Sequence, residues 1–184
     1  NLYGMGGIGK STLTKAYIAE HRADYDAVLW LYSNGNTAQT ICDDNLVHVN
    51  TIQKMNDESL EDYLPRKLQA LTEIASSQHV LVIVDNVCKE HLEDLRILQD
   101  VGWDVLLISR PILADGLFPA LRVEELLPEP LALLFQRYAH VNITEENDVK
   151  DFITIANTVY GHTLTMELLA RQIARSYLSL HEAA

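Results

Sequence analysis

The 184-residue chain is predicted to adopt an α/β fold built on a parallel sheet. Three observations carry this. A glycine-rich stretch, Gly4-Met5-Gly6-Gly7-Ile8-Gly9-Lys10-Ser11-Thr12, leads straight into a helical pattern. Apolar runs rich in β-branched residues then alternate with helical segments. The strongest run, Val80-Leu81-Val82-Ile83-Val84, ends in an acid, Asp85.

The opening stretch fits G-x-x-x-x-G-K-[ST], with Gly4 and Gly9 as the fixed glycines. A phosphate chain needs several backbone N–H groups aimed at it together, and larger side chains would block that approach. The following helix adds unpaired N–H groups and the positive end of its dipole. Lys10 then supplies a cation for the phosphates, and Ser11 a hydroxyl for Mg²⁺. The bland alternative is a flexible glycine turn, which leaves Lys10-Ser11 at that offset unexplained. A strand should precede the loop, and Asn1-Leu2-Tyr3 has room only for its end, as in a piece of a longer protein.

The first helix is expected from Leu13 to Arg22, with Leu13, Ala16, Tyr17 and Glu20 at helical spacing. Ala27 to Tyr32 reads as a buried strand. Residues 37–49 permit a helix, and 48–55 read as loop. Residues 57–76 place Leu60, Tyr63, Leu64, Leu68, Leu71 and Ile74 on one face, with Pro65 as an interruption. Val80 to Asp85 is a strand covered on both faces. A short helix from Glu90 to Leu98 leads to a second such strand, Val105 to Arg110, stopped by Pro111. Leu121 to Val123 is a weaker strand.

Beyond about residue 124 strands give way to helices. The pattern predicts three: Glu129 to His140, a second capped by Thr144 and ending near Tyr160, and a third from Thr163 to Tyr177 after the break at Gly161. The expected division is a core over 1–124 and a helical lid over 125–184.

Composition narrows the partners. The net charge of −12 argues against a general nucleic-acid or anionic-membrane surface. No apolar run is long enough to span a bilayer, and no signal peptide is visible. Two isolated thiols, Cys42 and Cys88, fit a reducing compartment, so a cytoplasmic location is expected.

Two further residues extend the site. Asp85 ends its strand where a Mg²⁺-binding acid would stand opposite the loop, unless it merely opens a turn with Asn86. Arg110 ends the next strand at the ligand-binding edge of such sheets, where it could sense a γ-phosphate, unless it is a solvated residue before a turn. Lys10, Asp85 and Arg110 are thus the candidate catalytic groups, and Ser11 and Asp85 the candidate metal ligands. Arg66, Lys67 and Lys89 have no such placement and read as solvated surface.

Gly4 to Leu13 resembles the phosphate loop of the NB-ARC/STAND group of signalling ATPases, which includes plant disease-resistance proteins, apoptosome scaffolds and bacterial relatives. Tyr25 to Leu31 looks like their second strand, Val80 to Val87 their acid-ended strand, Leu106 to Arg110 their sensor strand, and Leu127 to Phe135 the start of their lid. Gly161-His162-Thr163-Leu164 is similar to their Gly-x-Pro-Leu lid motif. The resemblance implies the strand order 5-1-4-3-2 and ATP or ADP with Mg²⁺, held on residues 4–12 between core and lid. It also implies that Thr163 and Leu164 lie near the base. Exchange of ADP for ATP would act as a switch, with a nucleotide-dependent homo-oligomer in the full-length protein. Two departures stand out. Asn86 replaces a second acid and cannot accept a proton from water, which points to slow hydrolysis. Thr163 replaces the lid proline, and His162 before it reads as exposed. The alternatives are a small-molecule kinase or metabolic ATPase, and an interaction domain with a relic loop.

Overall fold

The structure, a computed structural model, describes every residue except 34, 44–51, 92–96, 99, 114–117 and 176. Among the described residues it divides into two compact units, Asn1–Gly4 with Lys10–Arg122 and Met5–Gly9 with Val123–Ala184.

The first unit holds a five-stranded sheet: β1 (Leu2–Tyr3), β2 (Ala27–Tyr32), β3 (Val80–Val87), β4 (Asp104–Ser109) and β5 (Leu121–Arg122). All paired strands are parallel, in the order β2-β3-β4-β1-β5. This is the expected 5-1-4-3-2 order read from the other edge. The alternation of side chains along β3 explains its place in the interior. Val80, Val82 and Val84 pack with Leu29, Leu31, Leu71 and Leu107 on one face. Leu81 and Ile83 pack with Ile108 and half-buried Ile18 on the other.

Helix α1 (Lys10–His21) follows the glycine stretch. Its predicted apolar face is wrong: Leu13, Ala16, Tyr17 and Glu20 are exposed, whereas Lys10 and Thr14 are buried. The loop delivers the helix with Lys10 turned inward, so the residues four and eight further on, Thr14 and Ile18, share its face. Thr14 tolerates burial because its hydroxyl donates to the Lys10 carbonyl at 3.0 Å.

Helix α2 (Thr37–Asp43) covers the described part of the ambiguous segment. Helix α3 (Leu60–Ala75) starts at Ser59, whose hydroxyl accepts from the Asp62 N–H, and it runs on through Pro65. Lys67 on α3 is not solvated: it is 3% exposed, donates to the Cys42 carbonyl at 3.2 Å and lies 5.6 Å from the Tyr63 ring. Arg66 forks onto the Glu58 carboxylate, at 2.6 Å from Oε2. The expected helix from Glu90 opens as a 3-10 turn, Lys89–His91, and otherwise falls mainly outside the described residues.

In the second unit, α4 (Pro128–Ala139), α5 (Glu146–Thr158) and α6 (Thr163–Ala174) are joined by a short α7 (Leu180–Ala183). Their core comprises Leu131, Phe135, Phe152, Ile155, Met166 and Ala170, with the two phenyl rings edge to face at 5.5 Å. Thr144 does not cap α5, because the helix begins one residue later than the acid pattern suggested, behind Glu145. The unpredicted α7 is closed by a capping box between Ser179 and Glu182, a signature present in the sequence. Among the described residues no helix is long and apolar enough to cross a membrane.

His79 ties together the amino ends of the strands. Its backbone N–H donates to Asp26 Oδ2 at 2.8 Å. Nδ1 faces the Asp24 carbonyl at 2.7 Å and Nε2 faces Asp104 Oδ2 at 3.0 Å. Both ring nitrogens meet acceptors, so the imidazolium suits this site. The Asp24 carbonyl, then Asp104, raise the His79 pKa above its ordinary value. A raised folded-state value stabilises the fold fully below the unfolded pKa of about 6.5, and that stabilisation disappears as pH rises through the folded value. Thermal melts from pH 5.5 to 8.5 will therefore show the melting temperature falling across this window. The fall will be much smaller in His79→Gln.

Candidate functional site

Parallel strands leave the carboxyl ends of β1, β2, β3 and β4 at one edge, where the sequence-predicted groups of the first unit meet. Lys10 is buried, and its ammonium donates to the Gly4 carbonyl at 2.8 Å. Burial depresses its pKa; the Asp85 charge opposes this and the Arg110 charge adds to it. The Ser11 hydroxyl donates to Asp85 Oδ2 at 3.0 Å. Asp85 Oδ1 accepts the Asn86 N–H at 2.8 Å. Asn86 sits at a bulge between Val84 and Val87 with φ +64, a left-handed conformation that Asn tolerates well. The bulge turns Asp85 towards Ser11 and leaves Asn86 exposed.

Arg110 follows the buried Ser109, whose hydroxyl donates to the Pro111 carbonyl at 2.7 Å and accepts from Asn1 Nδ2 at 2.9 Å. These bonds fix the backbone on either side of Arg110, while its side chain is exposed. Lys10, Ser11, Asp85 and Arg110 line one cavity of about 240 Å³ with Tyr32. Sequence reasoning missed Tyr32. Its signal was position alone: it ends β2 in register with Asp85.

The remaining loop residues, Met5–Gly9, belong to the second unit. Met5 to Ile8 form a turn in which the Ile8 N–H donates to the Met5 carbonyl at 3.3 Å. Gly7 has φ +77, as required at the third position of a type II turn. A side chain at Gly7 would also bring Cβ within 2.8 Å of Leu164 Cβ. Thr12, the last residue of the predicted set, is exposed on α1.

The Leu164 N–H donates to the Gly7 carbonyl at 3.1 Å. His162, expected to be exposed, is half-buried. It caps α6 by accepting from the Thr165 N–H, and its Nε2 lies 2.7 Å from the Gly6 oxygen. The Thr163 hydroxyl oxygen is buried with no hydrogen-bond partner among the described residues. Sequence reasoning missed that His162 caps the helix, since the usual caps are Ser, Thr, Asp and Asn.

A parallel five-stranded sheet with a glycine-rich loop after β1 and an acid at the end of β3 defines a nucleotide-binding domain of the P-loop NTPase class. The chain belongs to the NB-ARC domain family, whose profile matches residues 1–114. This makes it a nucleotide-binding module of the kind built into signalling ATPases. The matched region includes the loop, β3 and β4, and stops short of the four helices of the second unit. No curated protein matches the chain.

The close approach at Gly7 yields a direct expectation. Gly7→Ala adds a left-handed strain and a collision with Leu164, together costing about 1–3 kcal/mol. Chemical denaturation of the variant will show the loss as a lower midpoint with an unchanged slope.

Proposed function

We propose that this domain is an ATP/ADP switch within a larger signalling or regulatory protein, with hydrolysis slow enough to act as a timer. The observation that carries the reading is the 3.0 Å bond between Ser11 Oγ and Asp85 Oδ2, in a cavity also lined by Lys10 and Arg110. A hydroxyl and a carboxylate this close, at the foot of a phosphate loop, suit Mg²⁺, which takes few protein oxygens and completes its shell with phosphates and water. When bound, the ion would neutralise charge on the β- and γ-phosphates.

The phosphates lie along residues 4–12, with Lys10 exchanging its Gly4 carbonyl for phosphate oxygens. Arg110 reads the γ-phosphate, which distinguishes ATP from ADP and provides the differential contact any switch requires. Thr163 and Leu164 receive the base; the Thr163 hydroxyl, without a hydrogen-bond partner among the described residues, supports this, since it has capacity to bond a ring nitrogen. ADP is the resting ligand. Exchange for ATP changes the disposition of the helical residues and permits assembly of full-length copies.

Calorimetry tests the site. Lys10→Ala will abolish measurable ADP and ATP binding. Asp85→Asn keeps an acceptor for Ser11, so it will fold, and it will weaken binding at least tenfold with Mg²⁺ but little in its absence. Equal losses with and without the ion would refute the metal assignment. Unchanged affinity in Lys10→Ala would refute phosphate binding on the loop.

Turnover separates a switch from a metabolic enzyme. Acid–base assistance contributes about 10²- to 10⁴-fold, and an arginine lent by a neighbour about 10³- to 10⁵-fold. Asn86 cannot act as a base, and an isolated copy has no neighbour. Single-turnover hydrolysis at saturating Mg-ATP will therefore run far below the roughly 10 s⁻¹ median of enzymes. A rate near that median would favour the kinase or metabolic ATPase instead.

A further inference from the structure

The least expected contact in the chain is the one His162 makes with the loop. Its Nε2 lies 2.7 Å from the Gly6 carbonyl oxygen, which can only accept. The proton must therefore be on Nε2. In the neutral ring Nδ1 is then an acceptor, and it faces two donors: the Thr165 N–H at 3.3 Å and the Thr165 hydroxyl at 2.7 Å. Both nitrogens are satisfied by a single tautomer.

The Gly6–Gly7 peptide is the central peptide of the Met5–Ile8 turn. In turns of this kind the central peptide can rotate by half a turn while the ends stay put, which converts type II into type I. A trans peptide carries its N–H opposite its C=O. Holding the Gly6 carbonyl towards His162 therefore sends the Gly7 N–H the other way. The Leu164 N–H holds the Gly7 carbonyl in the same manner at 3.1 Å, which orients the next peptide. Two consecutive loop peptides are thus fixed by the first turn of α6, one by a side chain and one by an otherwise unpaired helix N–H.

We propose that His162 is a positioning residue for phosphate binding: its Nε2–H latches the Gly6 carbonyl and so keeps the Gly7 N–H aimed for a nucleotide's phosphates. The proposal rests on the nucleotide-binding reading above. The latch acts on the phosphates and not on the base, so it affects any ligand that carries a diphosphate.

The test uses the whole chain and two probes, ADP and inorganic pyrophosphate, each with Mg²⁺. Asn is a good helix cap but too short to reach Gly6, so His162→Asn keeps the cap and removes the latch. Its melting temperature will match wild type, and it will bind both probes about three- to tenfold more weakly, by the same factor, as expected for one lost hydrogen bond. His162→Ala loses cap and latch together, and will bind weakly and melt earlier. The imidazole ¹⁵N spectrum of the wild type will place the proton of His162 on Nε2. Undiminished affinity in His162→Asn, a loss confined to ADP, or a proton on Nδ1 would each overturn the latch. Failure of the wild type to bind either probe would instead overturn the nucleotide reading, and with it the role given to His162.

Discussion

Strands that all run in one direction end on one edge, and the chemistry of this domain depends on that constraint. A parallel pair cannot be joined by a tight turn, so each strand end must lead into a longer connection. At that edge Lys10 and Arg110 follow β1 and β4 while Asp85 lies near the end of β3, three adjacent strands, although up to a hundred residues separate them in sequence. Burial of β3 on both faces fixes its register against β2 and β4, and with it the height at which Asp85 emerges. The bulge after Val84 makes the last adjustment, turning the acid to Ser11.

The charges at this edge are held in tension. Lys10 is buried with its ammonium on the Gly4 carbonyl, and it stands near both Asp85 and Arg110. Burial weakens its hold on the proton, and the Asp85 charge opposes that. An anion entering the cavity would relieve the repulsion between the two cations and restore what burial removes. The arrangement is thus better suited to a polyphosphate than to a neutral ligand.

Much of this was legible from residues alone. The loop motif, the continuous apolar runs of β3 and β4 and the alternation with helices sufficed for a parallel sheet, because long periodic segments leave few alternatives, whereas the strand order was implied by the family resemblance alone. The inward face of α1 was not legible: its buried residues are a lysine and a threonine, and an apolar count pointed to Leu13 and Tyr17 instead. Lys67 was misread for the same reason, since a buried lysine depends on a distant carbonyl that no local pattern reveals. His162 bonds a residue 156 positions away. Such contacts arise from the tertiary fold and leave no periodic trace. The helix α7, by contrast, carried a readable capping box that its four-residue length made easy to pass over.

The thin packing of α1 has a consequence for how the domain moves. It reaches the sheet through Lys10, Thr14 and half-buried Ile18, one residue in each turn, while Tyr17 at 41% and Leu13 at 48% remain in water. A helix of twelve residues held this lightly is near the limit of what isolated helices sustain. Its amides should exchange with solvent sooner than those of β3, at a low opening free energy. The same helix starts at the phosphate loop, so a ligand held there adds contacts to its first turn. Occupancy of the loop would then be reported as amide protection along α1, well beyond the atoms the ligand touches.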